Sequence, residues 1–169
     1  MWQRLKRAVL TWPSGPGWGQ CVFIGLIGWV LIGSAAFLFG VAHWQPRLDG
    51  WPLRLASVMV LPALTEELVF RGLLIPGRGE GRHSVRLIAI GLTAFVLWHV
   101  VEATTILPGA QPIFLRPGFL LCAALLGGVC ILMRYRSGSL WPAVLFHGVT
   151  VFLWQVLFGG PAVADLIRR

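Results

Sequence analysis

The chain has 169 residues, 57% of them hydrophobic and 12% charged, with a mean hydropathy of +0.79. These values exclude an ordinary soluble domain and leave an integral membrane protein. The net charge of +8 does not make it a nucleic-acid binder, because Lys and Arg stand in short groups between apolar runs, without a continuous basic face or an aromatic platform.

Residues 1–18 are basic and rich in Trp, Pro and Gly, an interfacial segment with Trp2, Trp12 and Trp18 near the headgroups. Arg4, Lys6 and Arg7 precede an apolar run longer than a signal-peptide core of about 7 to 15 residues, so an uncleaved first span is expected from about Gln20 to His43, within 19–44. The small residues Ala36 and Gly40 in it are spaced for close helix approach. The second span runs from about Leu53 to Ile75 and stops at Pro76 and Gly77. A glycine-punctuated loop carrying Arg78, Arg82 and Arg86 leads to the third, about Leu87 to Leu107, closed by Pro108 and Gly109. The fourth covers about Gly118 to Met133, the fifth about Leu140 to Phe158, and residues 159–169 form a polar tail. The fold class is therefore an all-α, polytopic membrane bundle of about five transmembrane helices.

The loop charges set the orientation. With the N-terminus inside, Arg4, Lys6, Arg7, Arg78, Arg82, Arg86, Arg134 and Arg136 are inner, while Arg47, Arg54, Arg116, Arg168 and Arg169 are outer. The cysteines Cys21, Cys122 and Cys130 lie in apolar runs without metal-ligand or redox spacing and read as small buried hydrophobes.

An ionisable side chain at bilayer depth costs at least about 2.5 to 3.5 kcal/mol, so such residues mark function. Inside the spans these are Glu66, Glu67 and Arg71, then His99 and Glu102, then His147. Residues four apart share a helix face, so Glu67 and Arg71 form an internal ion pair. Glu66 points about 100° away and is left to meet another helix. At about 1.5 Å per residue from the inner ends, Glu66 lies about 14 Å deep, His99 about 18 Å and His147 about 10 Å, so the three can converge. A carboxylate facing an imidazole can draw a proton from water for attack on a carbonyl, and a second imidazole can donate to the oxyanion. Glu102, three residues after His99, either orients that ring or reaches a watery pocket.

TEELVFRG carries an EExxxR motif, FVLWH an FxxxH motif, and SLWPAVLFHG a third histidine region. In this order, on three spans, they resemble the CPBP family, also called Abi or CAAX-protease-like membrane proteins, which is related to the type II CAAX prenyl endopeptidases. The resemblance covers residues 53–158, a four-helix core to which the first span is an addition. It implies a glutamate-dependent intramembrane endopeptidase in which Glu66 and His99 activate water and His147 serves the oxyanion site. Glu67 and Arg71 hold the helices, and Phe95, one turn before His99, buttresses its ring. One departure stands out: the third motif of the family has Asn or Asp one turn after the histidine, and this chain has Val151, which neither donates nor accepts. Thr150 and Gln155 are the nearby polar groups.

Two other functions stay open. One is a non-catalytic membrane adaptor of the same fold that binds or stabilises another membrane protein. The other is a zinc-dependent membrane hydrolase with Glu66, His99 and His147 as ligands, although neither HExxH nor a Cys and His cluster occurs. The leading reading needs no cofactor or metal. Its partners are the lipid bilayer and a membrane protein or peptide substrate. The small size points to a bacterial plasma membrane, or to a thylakoid-type internal membrane.

Overall fold

The computed structural model describes residues 2–81, 85–162 and 165–166; Arg82, Arg168 and Arg169, assigned above to a loop and a tail, lie outside the described residues. Among the described residues the regular elements are all helices, apart from one isolated bridge between Gln45 and Phe158, and they form a helical membrane bundle.

Helix α1, Trp2–Leu10, is one-sided: Trp2 is exposed while Ala8 is fully buried. Its inner face lies on the end of the second span, where the Leu5 side chain fills the space above Gly72. Arg4 Nη1 donates to the Leu73 and Leu74 carbonyls at 3.1 and 3.2 Å, supplying partners to carbonyls that a helix end leaves open and a positive charge beside them. The basic segment is thus a packed brace.

Helix α2, Gly15–Leu38, begins earlier than expected because Ser14 caps it, its Oγ accepting from the Gly17 N–H at 3.3 Å, with a proline in the first turn. It also ends earlier, at Phe39 and at Gly40 with φ +65°, a conformation glycine adopts without penalty. Gly40 therefore terminates the helix, and a Cβ placed there would meet nothing within 4 Å, so Ala36 and Gly40 do not form a packing pair. Close approach occurs instead at Gly25 and Gly28 on the stripe Cys21, Gly25, Gly28, Ile32 and Ala36; a Cβ at Gly28 would meet Phe146 and Val129 at 2.9 Å.

After α2 the chain runs along the end of the last helix. The N–H groups of His43, Gln45 and Arg47 donate to the Phe158, Leu157 and Val156 carbonyls at 3.2, 2.8 and 2.7 Å, which satisfies carbonyls that a helix end leaves open.

The second span is not one continuous rod. Helix α3, Trp51–Val58, passes into the wide-turn segment Met59–Leu64, inside which Leu61 leaves helical geometry at φ −127°, ψ 111°. Pro62 is the cause: it disfavours helix in the residue before it and has no N–H to continue the ladder. Helix α4, Thr65–Glu67, then runs into a second wide-turn segment, Leu68–Leu73. Helix α5, Val85–Val101, continues as the wide-turn segment Glu102–Ile106 and stops at Leu107, before the turn Pro108–Ala110 and the short α6, Gln111–Phe114. Helix α7 spans Pro117–Ser137 and α8 Trp141–Leu157.

Among the described residues, three helices are long and apolar enough to cross a membrane: Gly15–Leu38, Val85–Ile106 and Pro117–Ser137. They correspond to the first, third and fourth expected spans. Of the other two, the second is interrupted at Leu61, and α8 has 17 residues, about 25 Å of helix against a hydrocarbon core of about 30 Å.

Arg134 is not a free interfacial charge. It is fully buried, donates to Glu80 Oε2 at 2.7 Å and to the Gly138 carbonyl, and lies so close to Gly77 that no side chain fits there. The Gly77 N–H reaches the same Glu80 oxygen at 3.0 Å, so one carboxylate ties the loop after the second span to the end of α7. Burial pushes the Glu80 carboxyl up, but the bonds from Arg134 and Gly77 and the charges of Arg134 and Arg4 outweigh it and hold it below the usual range. A carboxyl held low in the folded state stabilises above its unfolded pKa, and that contribution is lost as pH falls through its folded value. Amide exchange at Gly77 and Glu80, corrected for intrinsic rates, should therefore rise between about pH 5 and pH 3, and Glu80→Gln should remove this dependence.

Candidate active site

Glu66 and Glu67 sit together on α4, and the 100° turn between them sends their carboxylates to different partners. Glu67 is fully buried. Its Oε1 pairs with Arg71 Nη1 at 3.2 Å, one turn along the same helix, and accepts from His147 Nδ1 on α8 at 2.9 Å. This bond to His147 joins the second span to the last and was not visible in the pattern of the second span alone. It makes Nδ1 the donor and leaves Nε2, at 4.0 Å from Glu66 Oε2, as the nitrogen that faces the other acid.

Glu66 is buried too, at 6% exposure, and its Oε2 has no hydrogen-bond partner among the described residues. His99, on α5, is held by a bond between Nδ1 and the Phe95 carbonyl at 3.0 Å, which fixes Nδ1 as the donor and leaves Nε2 with its lone pair. One oxygen of Glu66, one ring nitrogen of His99 and one oxygen of Glu102 all lie within 4.8 Å of one another. Helices α4, α5 and α8 thus bring Glu66, His99 and His147 together, and Glu102 joins them. Because the Phe95 carbonyl already orients the His99 ring, Glu102 is not needed for that; it turns toward Glu66.

Aromatic rings wall the cluster. Phe95 is fully buried, with its ring 4.9 Å from His99 and 6.1 Å from His147, and the Arg71 guanidinium lies 4.0 Å over its face, a cation–π contact that offsets part of the cost of burying that charge. Phe114 and Phe119 stack at 4.4 Å and sit edge-on to His99 at 5.6 and 5.5 Å. Trp98 is partly buried, and its indole N–H lies beside the carboxyls of Glu66 and Glu102 without completing a hydrogen bond to either. Its place one residue before His99 and four before Glu102 is the signal in the sequence that could have drawn Trp98 into the site.

Close packing here depends on Gly127 of α7. A Cβ at that position would meet Leu92 at 2.8 Å, Phe95 at 2.9 Å and Arg71 Nη2 at 3.1 Å, whereas one at Gly128 meets nothing within 4 Å. Gly127→Ala should destabilise the bundle by about 1 to 3 kcal/mol through overpacking and displace the Arg71 and Phe95 pair. Gly128→Ala should hold or raise the melting temperature in the same detergent.

The other residues named from sequence are resolved as follows. Val151 stands one turn after His147, as expected. Thr150 faces away from the cluster: its Oγ accepts from Trp29 Nε1 at 2.8 Å and donates to the Phe146 carbonyl at 2.6 Å, so it fastens α8 to α2. Gln155 is buried two turns beyond His147. The three cysteines are buried and unpaired in disulfides.

The family model described as type II CAAX prenyl endopeptidase Rce1-like matches residues 47–153, a stretch that holds Glu66, Glu67, Arg71, Phe95, His99, Glu102 and His147 and well over half of the chain. No curated protein and no solved structure matches the chain. The chain belongs to the type II CAAX prenyl endopeptidase Rce1-like family of membrane endopeptidases.

Proposed function

We propose that the protein hydrolyses a peptide bond of a membrane-associated substrate with a water molecule activated by Glu66 and His99. The observation that carries this reading is a buried Glu66 oxygen without a hydrogen-bond partner among the described residues, approached by imidazoles from two other helices. Separations between 4 and 4.8 Å are too long for direct hydrogen bonds and suit a single water bridging two polar groups. Glu66 takes the proton of that water while its oxygen bonds to the substrate carbonyl carbon. His147 donates from Nε2 to the developing oxyanion, and the Glu67 carboxylate behind its ring supports the positive charge this requires. Arg71 and Phe95 keep Glu67 and both imidazoles in register. The reaction uses no cofactor, and the basic end, with α1, Arg78 and Arg136, faces the inner side of the membrane.

Val151 favours a second reading, a non-catalytic adaptor, because the valine supplies no donor beside His147 where losing one oxyanion donor lowers rates by about a hundred- to a thousandfold. The test is hydrolysis by the protein reconstituted in lipid bilayers, in water labelled with heavy oxygen, using membrane-anchored peptides. One labelled oxygen in the new carboxyl, with full activity in chelator, is the expected result. No cleavage of any peptide moves the reading to the adaptor, and inhibition by chelator with rescue by zinc moves it to a zinc hydrolase.

A further inference from the structure

Glu102 is a third acid in the cluster, and the water-activating roles just described do not use it. It is half-buried in the wide-turn segment that ends the third span and has no ion pair among the described residues, with the Trp98 N–H standing beside its carboxyl. No opposite charge therefore compensates an ionisable group at this depth, which is the usual mark of a functional one. Its surroundings point the same way. Glu102 shares a face with Phe95 and His99, at seven and three residues' distance, and its carboxyl oxygen lies within 4.8 Å of both the Glu66 oxygen and the His99 nitrogen. The Trp98 N–H lies between these acids as a donor for either.

We propose that Glu102 is the general acid that protonates the departing amine, a role that rests on the peptidase reading above. The role needs one proton held between the two carboxyls, which repulsion between like charges at this separation favours, and needs it on Glu102 while Glu66 acts as the base. Glu66 removes a proton from water, and the hydroxide oxygen bonds to the carbonyl carbon. As the C–N bond breaks, the Glu102 proton passes to the amide nitrogen and the amine leaves neutral. The proton on Glu66 then returns to Glu102 within the cluster, directly or through His99, and both acids regain their starting states. A leaving group that departs readily as an anion does not need this proton, and that separates an acid from a structural residue.

The experiment compares wild type and Glu102→Gln in lipid bilayers on two substrates of the same peptide sequence, one with the ordinary amide and one ending in a p-nitrophenyl ester. Glu102→Gln should lose about a hundredfold on the amide and only a few-fold on the ester, with the melting temperature unchanged. If that variant does not fold, Glu102→Asp carries the same comparison. Equal losses on both substrates, or none on either, with wild type active, overturn the role of Glu102 alone. Hydrolysis of neither substrate by wild type overturns the peptidase reading, and this role with it.

Discussion

Glu66→Gln should reduce peptide hydrolysis by about a hundred- to ten-thousandfold, the range lost with a positioned general base, while leaving the bundle folded. Glutamine keeps the shape of the side chain and replaces only the oxygen that accepts the proton. The Glu66 carboxylate makes no short bond on which the helices depend: its nearest ionic contact is His147 Nε2 at 4.0 Å. The melting temperature in detergent should therefore stay within a degree or two of wild type, and kcat should fall with little change in KM, because the interaction removed belongs to the transition state. Equal turnover by variant and wild type would remove Glu66 from the chemistry.

Its neighbour should behave in the opposite way. Glu67→Ala should destabilise the protein by about 3 to 5 kcal/mol, because removing one partner of a buried pair strands the other charge. Here the stranded group is Arg71, at 1% exposure, and His147 loses its Nδ1 partner in the same step. Activity falls as a consequence of folding and of a misplaced imidazole. Replacing both Glu67 and Arg71 by leucine removes both charges and should recover a large part of the lost stability, while activity stays low because His147 remains unsupported. Thermal melting of the single and double variants measures this directly; a double variant no more stable than Glu67→Ala would show that the pair is not the source of the loss.

The contrast between adjacent glutamates was legible in the sequence because it depends only on helix geometry. One turn separates Glu67 from Arg71, and 100° separates Glu66 from both. The convergence of His99 and His147 was legible as a matter of depth, since each stands near the middle of its own apolar run. Contacts between helices were not legible. The bond from His147 to Glu67 depends on how α8 rotates against α4, and no pattern within either helix encodes that rotation. Glu102 was ambiguous for the same reason: spacing puts it on the His99 face, but only packing decides whether that face meets Glu66 or solvent. The break at Leu61 was readable from Pro62, and reading residues 53–75 by hydropathy alone concealed it. Arg134 was counted as an orientation charge because charge counting does not see Glu80, 54 residues away along the chain.

The brace made by α1 bears on biogenesis. Arg4 leaves the ribosome 69 residues ahead of Leu73, whose carbonyl it caps, and the Ala8 carbonyl waits longer still for the Leu140 N–H it accepts from at 2.9 Å. Helix α1 is thus synthesised well before the segments on which it docks. Until α8 is inserted, the nascent chain holds α1 without its complete seat, and Glu67 waits 80 residues for the His147 ring that it accepts from.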